Sequence, residues 1–265
     1  MQARSVMEGP SIHIAAEQLR PFIGRRVQRV AGNSRIGIDR LHGRVVRDVF
    51  AWGKHLVFQF DRFALRVHFM LWGTFAAMVN GRSVTGDYRR TSATRLVLSF
   101  ANGEITIWSA SLKFIEDPGA RETYDFTVDV LSDTWSPRAA LRKLREHGSE
   151  EIADALLDQS IFAGVGNIIK NEVLFRTRTN PMTRVRRVPP TTLKAIVEDA
   201  RTFSFRFLEL RRQFALRKNL EIYGRSQCPA CRGRVTRKTH GRRDRRSFFC
   251  AGCQKARLRA TARRS

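Results

Sequence analysis

The four cysteines of this 265-residue chain, Cys228, Cys231, Cys250 and Cys253, fall into two C-x-x-C pairs. A tight turn can present both thiolates of a pair, and two such turns supply four sulfur ligands to one tetrahedral ion. A disulfide pair or four unrelated thiols would use the same residues, but this spacing lies within the range that marks zinc sites. Four thiolates leave no open coordination position, so the expected cofactor is one structural Zn2+ ion without a catalytic role. Between the pairs runs RGRVTRKTHGRRDRRSFF, almost wholly basic or polar. Such a hairpin has too little apolar content to fold alone.

A second grouping is Phe162-Ala163-Gly164-Val165-Gly166-Asn167. Two glycines allow a tight turn with exposed N–H groups, and a helix start adds its positive dipole end. Asn167 adds a side-chain amide at the same spot. Together these suit a phosphate without reading a base. A plain helical hairpin whose glycines only permit close packing would have the same residues.

The elements that must carry these groups divide near residue 130. Ser11 to Phe22 reads as a short helix capped by Ser11, with Ile12, Ala15, Ala16 and Leu19 on one face. HLVFQF (55–60), ALRVHF (64–69) and RLVLSF (95–100) read as strands, and Asn102-Gly103 as the hairpin turn before EITIWS. The polar stretch 81–94 reads as a loop. Beyond 130, helices are expected at 136–148 behind a Ser136 cap, at 151–162, at 164–178 and at about 190–217. The fold class is therefore α+β multidomain. A sandwich or barrel of short strands precedes a helical region that ends in the cysteine hairpin.

Lys and Arg number 49 against 24 acidic residues, a formal charge of +25. From Arg217 onward sixteen basic residues face two acids, Glu221 and Asp244. Such a surface collects polyanions, and nucleic acid is the first candidate partner. No apolar run is long enough to span a membrane, and no secretory signal is evident, so no membrane partner is expected. Cysteines confined to a metal site suit the reducing cytoplasm, the expected location.

The run LLDQSIFAGVGNIIKNEVLF (156–175) resembles the helix-two-turns-helix of the formamidopyrimidine-DNA glycosylase and endonuclease VIII family, and the endonuclease VIII branch is the nearer one. IYGRSQCPAC (222–231) and RRSFFCAGCQ (245–254) resemble that family's C-terminal zinc finger. EGPSIHIAAEQL (8–19) is similar to its first helix, and WGKHLVF (52–58) to its lysine-bearing strand. The order is the family's, over nearly the whole chain. The resemblance implies an N-terminal β-sandwich flanked by helices as catalytic domain (7–120) and a linker (121–135). It further implies a helix-two-turns-helix domain (136–220), a zinc finger (221–256) and a basic tail (257–265). The implied activity is excision of oxidised bases from double-stranded DNA, with abasic-site cleavage by β- and δ-elimination through an amine Schiff base. A monomer is expected. Glu8 matches the glutamate that assists proton transfer, and Lys54 the strand lysine at the phosphate and reacting site. Asn167 and Arg245 match the residues that clasp phosphates beside the flipped nucleotide. Met70, Leu71 and Trp72 fall where the family fills the gap left by the extruded base, work that suits an apolar wedge. Flipping is required because C1′ is hard to attack inside a stacked duplex.

The chain departs from the family at its nucleophile. The family has a free N-terminal proline before the glutamate; here Met7 precedes Glu8, six residues (MQARSV) precede Met7, and Ser11 replaces a usual glutamate. Three readings stay open. The α-amine of Met7 serves if translation starts there, since a free α-amine is partly unprotonated at neutral pH. Lys54 serves if its surroundings lower its pKa. Otherwise the protein binds damaged or abasic DNA without cutting it. A zinc-ribbon RNA-binding protein would also explain the charge and cysteines, but not the ordered match.

Overall fold

The computed structural model describes residues 7–85 and 94–255. The MQARSV extension, most of the polar stretch 81–94 and the basic tail at 257–265 lie outside the described residues. The chain forms two compact units, one up to Asp125 and one from Phe126.

Among the described residues, the first unit opens with helix α1 (Gly9–Leu19) and has nine strands. In chain order these are β1 (Arg29–Ala31), β2 (Asp48–Trp52), β3 (His55–Gln59), β4 (Ala64–His68) and β5 (Thr74–Val79), followed by β6 (Arg82–Ser83), β7 (Thr94–Phe100), β8 (Gly103–Trp108) and β9 (Ser111–Ile115). They make two antiparallel sheets, ordered β1-β7-β8-β5-β6 and β2-β3-β4-β9. Alternation puts Leu96, Leu98, Ile105 and Ile107 of one sheet into a common core with Leu56, Phe58, Leu65 and Val67 of the other. Ile12, Ala15 and Leu19 of α1 join that core. The N-cap of α1 is Glu8, so Ser11 lies inside the first turn instead of capping it. The turn between β7 and β8 is Ala101-Asn102, one residue earlier than the Asn-Gly pair suggests, because Phe100 pairs with Gly103. Gly103 answers a different need: a Cβ there would lie 1.8 Å from the Met78 carbonyl oxygen on β5.

The second unit holds α2 (Pro137–Glu146), α3 (Ile152–Ala155), α4 (Asn167–Arg176) and α5 (Pro190–Arg212), then the hairpin β10 (Thr236–His240) and β11 (Arg245–Phe249). Ser136 caps α2 by accepting from the Ala139 N–H at 3.2 Å. The stretch expected as a linker, 121–135, contains short 3-10 turns, and its Val128, Val130, Leu131 and Trp135 are buried. Two helices are shorter than their apolar patterns suggest. α3 stops after one turn, and Asp158 then accepts from both the N–H and the hydroxyl of Ser160, closing a side-chain turn. α5 stops at Arg212 because Phe214 adopts a left-handed conformation (φ 54°) and the Ala215 N–H returns to the Leu210 carbonyl at 2.8 Å.

Candidate nucleic-acid interface and metal centre

In the first unit the predicted groups gather at two places. Met7 and Glu8 are both buried at the head of α1, Met7 within the sandwich core. The Glu8 carbonyl accepts the first helical N–H groups, from Ser11 at 2.8 Å and Ile12 at 3.2 Å. Pro10 in the first turn suits a helix start, where its missing N–H costs nothing. Lys54 stands at the tip of the two-residue turn joining β2 to β3, after Gly53 with φ 53°, instead of within a strand. Glycine at the first central position is what such a hairpin turn selects.

Two histidines that the sequence reading did not single out lie beside this lysine. His55 and His68 face each other across β3 and β4 with ring centroids 5.6 Å apart. Burial, and then the charges of Arg66, His68 and Lys54, lower the pKa of His55 to about 4. Burial lowers that of His68 as well, helped by Lys54 and Arg66. A neutral His68 can accept at Nδ1, and the Met70 N–H donates to that atom at 3.2 Å. Met70 has φ 52°, and its sulfur also touches His68 Nδ1, at 3.1 Å. The turn closes at Gly73, where a Cβ would lie 2.3 Å from the Phe69 carbonyl oxygen. Its crest is apolar and open: Met70, Leu71 and Trp72 are 59%, 58% and 54% exposed. These residues are therefore not part of the sandwich core.

The second unit builds the glycine-asparagine turn and the cysteine hairpin onto one helix. Gln159 fastens the turn, donating to the carbonyls of Leu157 (2.9 Å) and Val165 (3.1 Å) and accepting from the Gly164 N–H (3.0 Å). Gly164 has φ 98°. Asn167 then opens α4 behind Gly166, which offers no capping side chain. The Asn167 side-chain oxygen is buried without a hydrogen-bond partner among the described residues. This end of α4 can receive an anion at its positive dipole end.

Three consecutive polar residues of α4, Lys170, Asn171 and Glu172, are fully buried and hold the segments that follow. Lys170 donates to Ser247 Oγ at 2.9 Å and to the Arg246 carbonyl at 3.2 Å. Asn171 donates to the Asn167 carbonyl at 2.6 Å and accepts from the Phe248 N–H at 2.7 Å. Glu172 accepts from the N–H groups of Glu221, Ile222 and Tyr223 at 2.7–2.9 Å. The signal for this was present in the pattern. Ile168, Ile169, Val173, Leu174 and Phe175 claim every side of a ten-residue helix, leaving no solvated face for the polar residues between them.

The four cysteine sulfurs converge to within 4.8 Å of one another, in position to bind a metal ion. Cys231 and Cys250 are 3.4 Å apart, Cys228 and Cys253 3.8 Å. The Cys228 N–H donates to the Gly233 carbonyl at 2.8 Å, and Gln254 accepts from the Cys250 N–H at 3.0 Å. Around the site Ile222, Val235 and Phe248 pack with Phe175 of α4, so the hairpin borrows its apolar support from the helix. At the hairpin tip Asp154 accepts from the N–H groups of Arg242 and Arg243, at 2.7 and 3.3 Å. Arg243 pairs with Asp158 at 2.7 Å and Arg242 with Glu150 at 3.4 Å. Arg245 is exposed, with no carboxylate partner among the described residues. Asn167 and Arg245 are thus joined through α4, by Asn171 to Phe248 and by Lys170 to Arg246.

Comparison with known proteins agrees with this architecture. Residues 126–206 match the formamidopyrimidine-DNA glycosylase H2TH domain. The chain is 29% identical over 217 residues to Endonuclease 8-like 3 of Mus musculus, covering 81% of this chain and 35% of that protein. It is 28% identical over 266 residues to Probable endonuclease 8 2 of Streptomyces coelicolor, covering 93% of each. This chain spans only about a third of the length of the endonuclease 8-like 3 relatives it matches. A crystal structure of the Lactococcus lactis formamidopyrimidine-DNA glycosylase, non-covalently bound to DNA containing an AP site, superposes with a TM-score of 0.79 at 19% identity. That superposition covers 94% of this chain and 99% of the other, so the fold is shared. With the helix-two-turns-helix, the sandwich and the four-cysteine hairpin all in place, the chain carries the H2TH domain of the formamidopyrimidine-DNA glycosylases, shares their fold, and is similar in sequence to endonuclease VIII-like proteins.

Proposed function

We propose that this protein is a base-excision-repair DNA glycosylase with abasic-site lyase activity, acting on oxidised bases in double-stranded DNA through an amine Schiff base. The observation that carries the reading is the turn at Met70-Leu71-Trp72, held open to solvent beside Lys54 and two histidines of lowered pKa. Large apolar side chains presented to water gain by entering a base stack, and a neighbouring cation suits the backbone phosphate. Asn167 and Arg245 would clasp phosphates beside the extruded nucleotide. The cysteine site supports a structural Zn2+ ion: zinc–sulfur bonds of about 2.3 Å set tetrahedral sulfurs about 3.8 Å apart, near the spacings found here.

In the proposed reaction an amine nitrogen attacks C1′, and the bond from C1′ to the base breaks as the leaving base takes up a proton. The sugar ring opens to a protonated imine. Loss of the C2′ proton expels the 3′ phosphate, loss of the C4′ proton expels the 5′ phosphate, and water then releases the amine. The buried Glu8 carboxyl is the group assigned to proton transfer. Two amines compete for the attack, the α-amine of Met7 in a chain that begins there and Lys54 Nζ. A second reading, binding of damaged or abasic DNA without cleavage, is favoured by the absence of proline before Glu8.

Borohydride trapping on abasic and oxidised-base duplexes tests both. Reduction of the imine gives a stable adduct, expected here on duplexes carrying either lesion. Loss of the adduct in Lys54→Ala alone assigns the lysine; its survival there, with the adduct on residue 7, assigns the α-amine. No adduct from a chain starting at Met1 or at Met7 would leave the binding-only reading.

A further inference from the structure

Arg245 projects from a strand held by a chain of polar groups that has a defined direction. Lys170, wholly buried, donates to Ser247 Oγ at 2.9 Å. An ammonium group only donates, so the Ser247 hydroxyl accepts there and its own proton turns elsewhere. Its other neighbour is His240 Nε2, at 2.7 Å. With Nε2 accepting, the imidazole proton sits on Nδ1, facing Glu151 Oε2 at 2.5 Å. Each donor in the chain then meets an acceptor, and the tautomer is assigned from that network. The chain runs Lys170, Ser247, His240, Glu151 and crosses α4, β11, β10 and the N-cap of α3.

Arg245 sits where these tethers meet. It pairs in register with His240 across the hairpin. The carbonyl next to it, that of Arg246, accepts from the same Lys170 ammonium at 3.2 Å. Beyond His240 the turn is docked by Asp154, against which Gly241 is so close that a Cβ would lie 2.5 Å from Oδ2. A two-stranded hairpin has no neighbouring strand to fix its twist or lateral position. Lys170, Ser247, His240 and Glu151, together with Asn171 and Asp154, supply that restraint instead.

We propose that Ser247, His240 and Glu151, driven in one direction by Lys170, are positioning residues that set where the Arg245 guanidinium points relative to Asn167. This rests on the proposed role of Arg245 at the DNA phosphate. Lys170 and Ser247 are wholly buried and His240 nearly so, so their effect on binding is expected to pass through Arg245.

A double-mutant cycle on the full-length protein tests this, read as affinity for an abasic-site duplex, with bound metal measured in every variant. Ser247→Ala is expected to keep its metal and weaken binding about tenfold, as Arg245→Ala does. The double variant is expected to bind no more weakly than Arg245→Ala alone, because the second change removes nothing further. Ser247→Thr keeps the hydroxyl and should restore affinity. Losses that simply add, or undiminished affinity in Ser247→Ala, would overturn the proposal. An Arg245→Ala variant that binds normally would instead overturn the assignment of Arg245 to the phosphate. Where Ser247→Ala loses metal, Glu151→Gln decides at the far, partly exposed end of the chain: a loss absent from the Arg245→Ala background supports positioning, and an additive loss or none refutes it.

Discussion

Asn171 Oδ1 accepts the backbone N–H of Phe248 at 2.7 Å, while the same side chain donates to the Asn167 carbonyl at 2.6 Å. One buried amide therefore couples the first residue of α4 to a core strand of the cysteine hairpin. Replacing it with alanine leaves a buried donor unsatisfied, at a cost of about 1–3 kcal/mol. Asn171→Ala should lower the urea midpoint accordingly. Asn171→Asp should not restore it, because a second oxygen would then face the Asn167 carbonyl.

The pH dependence of stability should show His55. Its pKa is about 4 in the native state, chiefly through burial, against about 6.5 in an unfolded chain. Between those values the unfolded chain takes up a proton that the native state does not. Stability should therefore be complete above about pH 6.5 and fall as pH drops toward 4, by up to about 3 kcal/mol. His68 acts in the same direction. His55 Nδ1 is buried without a hydrogen bond among the described residues, so His55→Phe should be tolerated and should flatten the slope. Denaturation at pH 7, 5.5 and 4.5 would show an unchanged slope if the shift is absent.

Gly241 is constrained twice, by φ 76° and by the Asp154 carboxylate. Gly241→Ala should destabilise the hairpin tip by about 1–3 kcal/mol. The cost should shrink in an Asp154→Ala background, where the clash is relieved and only the backbone strain remains. Hydrogen exchange at the N–H groups of Arg242 and Arg243 would report both effects.

Trp72→Ala should leave the melting temperature nearly unchanged, since the ring is more than half exposed. Affinity for an abasic duplex should nevertheless fall about tenfold, measurable by fluorescence anisotropy. Unchanged affinity would remove the wedge role.

Metal removal should act on the hairpin before the helices. Chelation, or Cys250→Ser, should release exchange protection in β10 and β11 and abolish duplex binding, while far-UV helical signal from α4 and α5 persists. Loss of the whole helical signal would show instead that the unit folds only with its metal.

Local chemistry explains which parts were legible from sequence. The cysteine spacing, the Ser136 cap and the alternating strands each state their outcome within a few residues. The end of α5 does not, because Phe214 takes the left-handed position where glycine is usual, and its ring is left 87% exposed. α3 is cut short by an Asp158 side-chain turn hidden in an apolar repeat. Among the candidate site residues, Asn167, Arg245 and the 70–72 crest could be named; the burial of Lys170, Asn171 and Glu172 was legible in the helix pattern, but their partners were not, because Ser247, Phe248 and residues 221–223 lie far along the chain. The neutral state of His68 likewise depends on β3 and the β2–β3 turn lying beside it.

The docking of the hairpin tip also bears on how the protein responds to ionic strength. Arg242 and Arg243 are already neutralised by Glu150 and Asp158 within the same unit. A side chain held by a carboxylate displaces no condensed cations from a duplex, so neither should contribute to the slope of log affinity against log salt. These two pairs already cancel within the formal +25, so it is the count of 49 Lys and Arg that overstates the polyelectrolyte footprint of the chain. Reversing Asp158 to lysine should free Arg243 and steepen that slope, strengthening attachment to any duplex while eroding the preference for a damaged one.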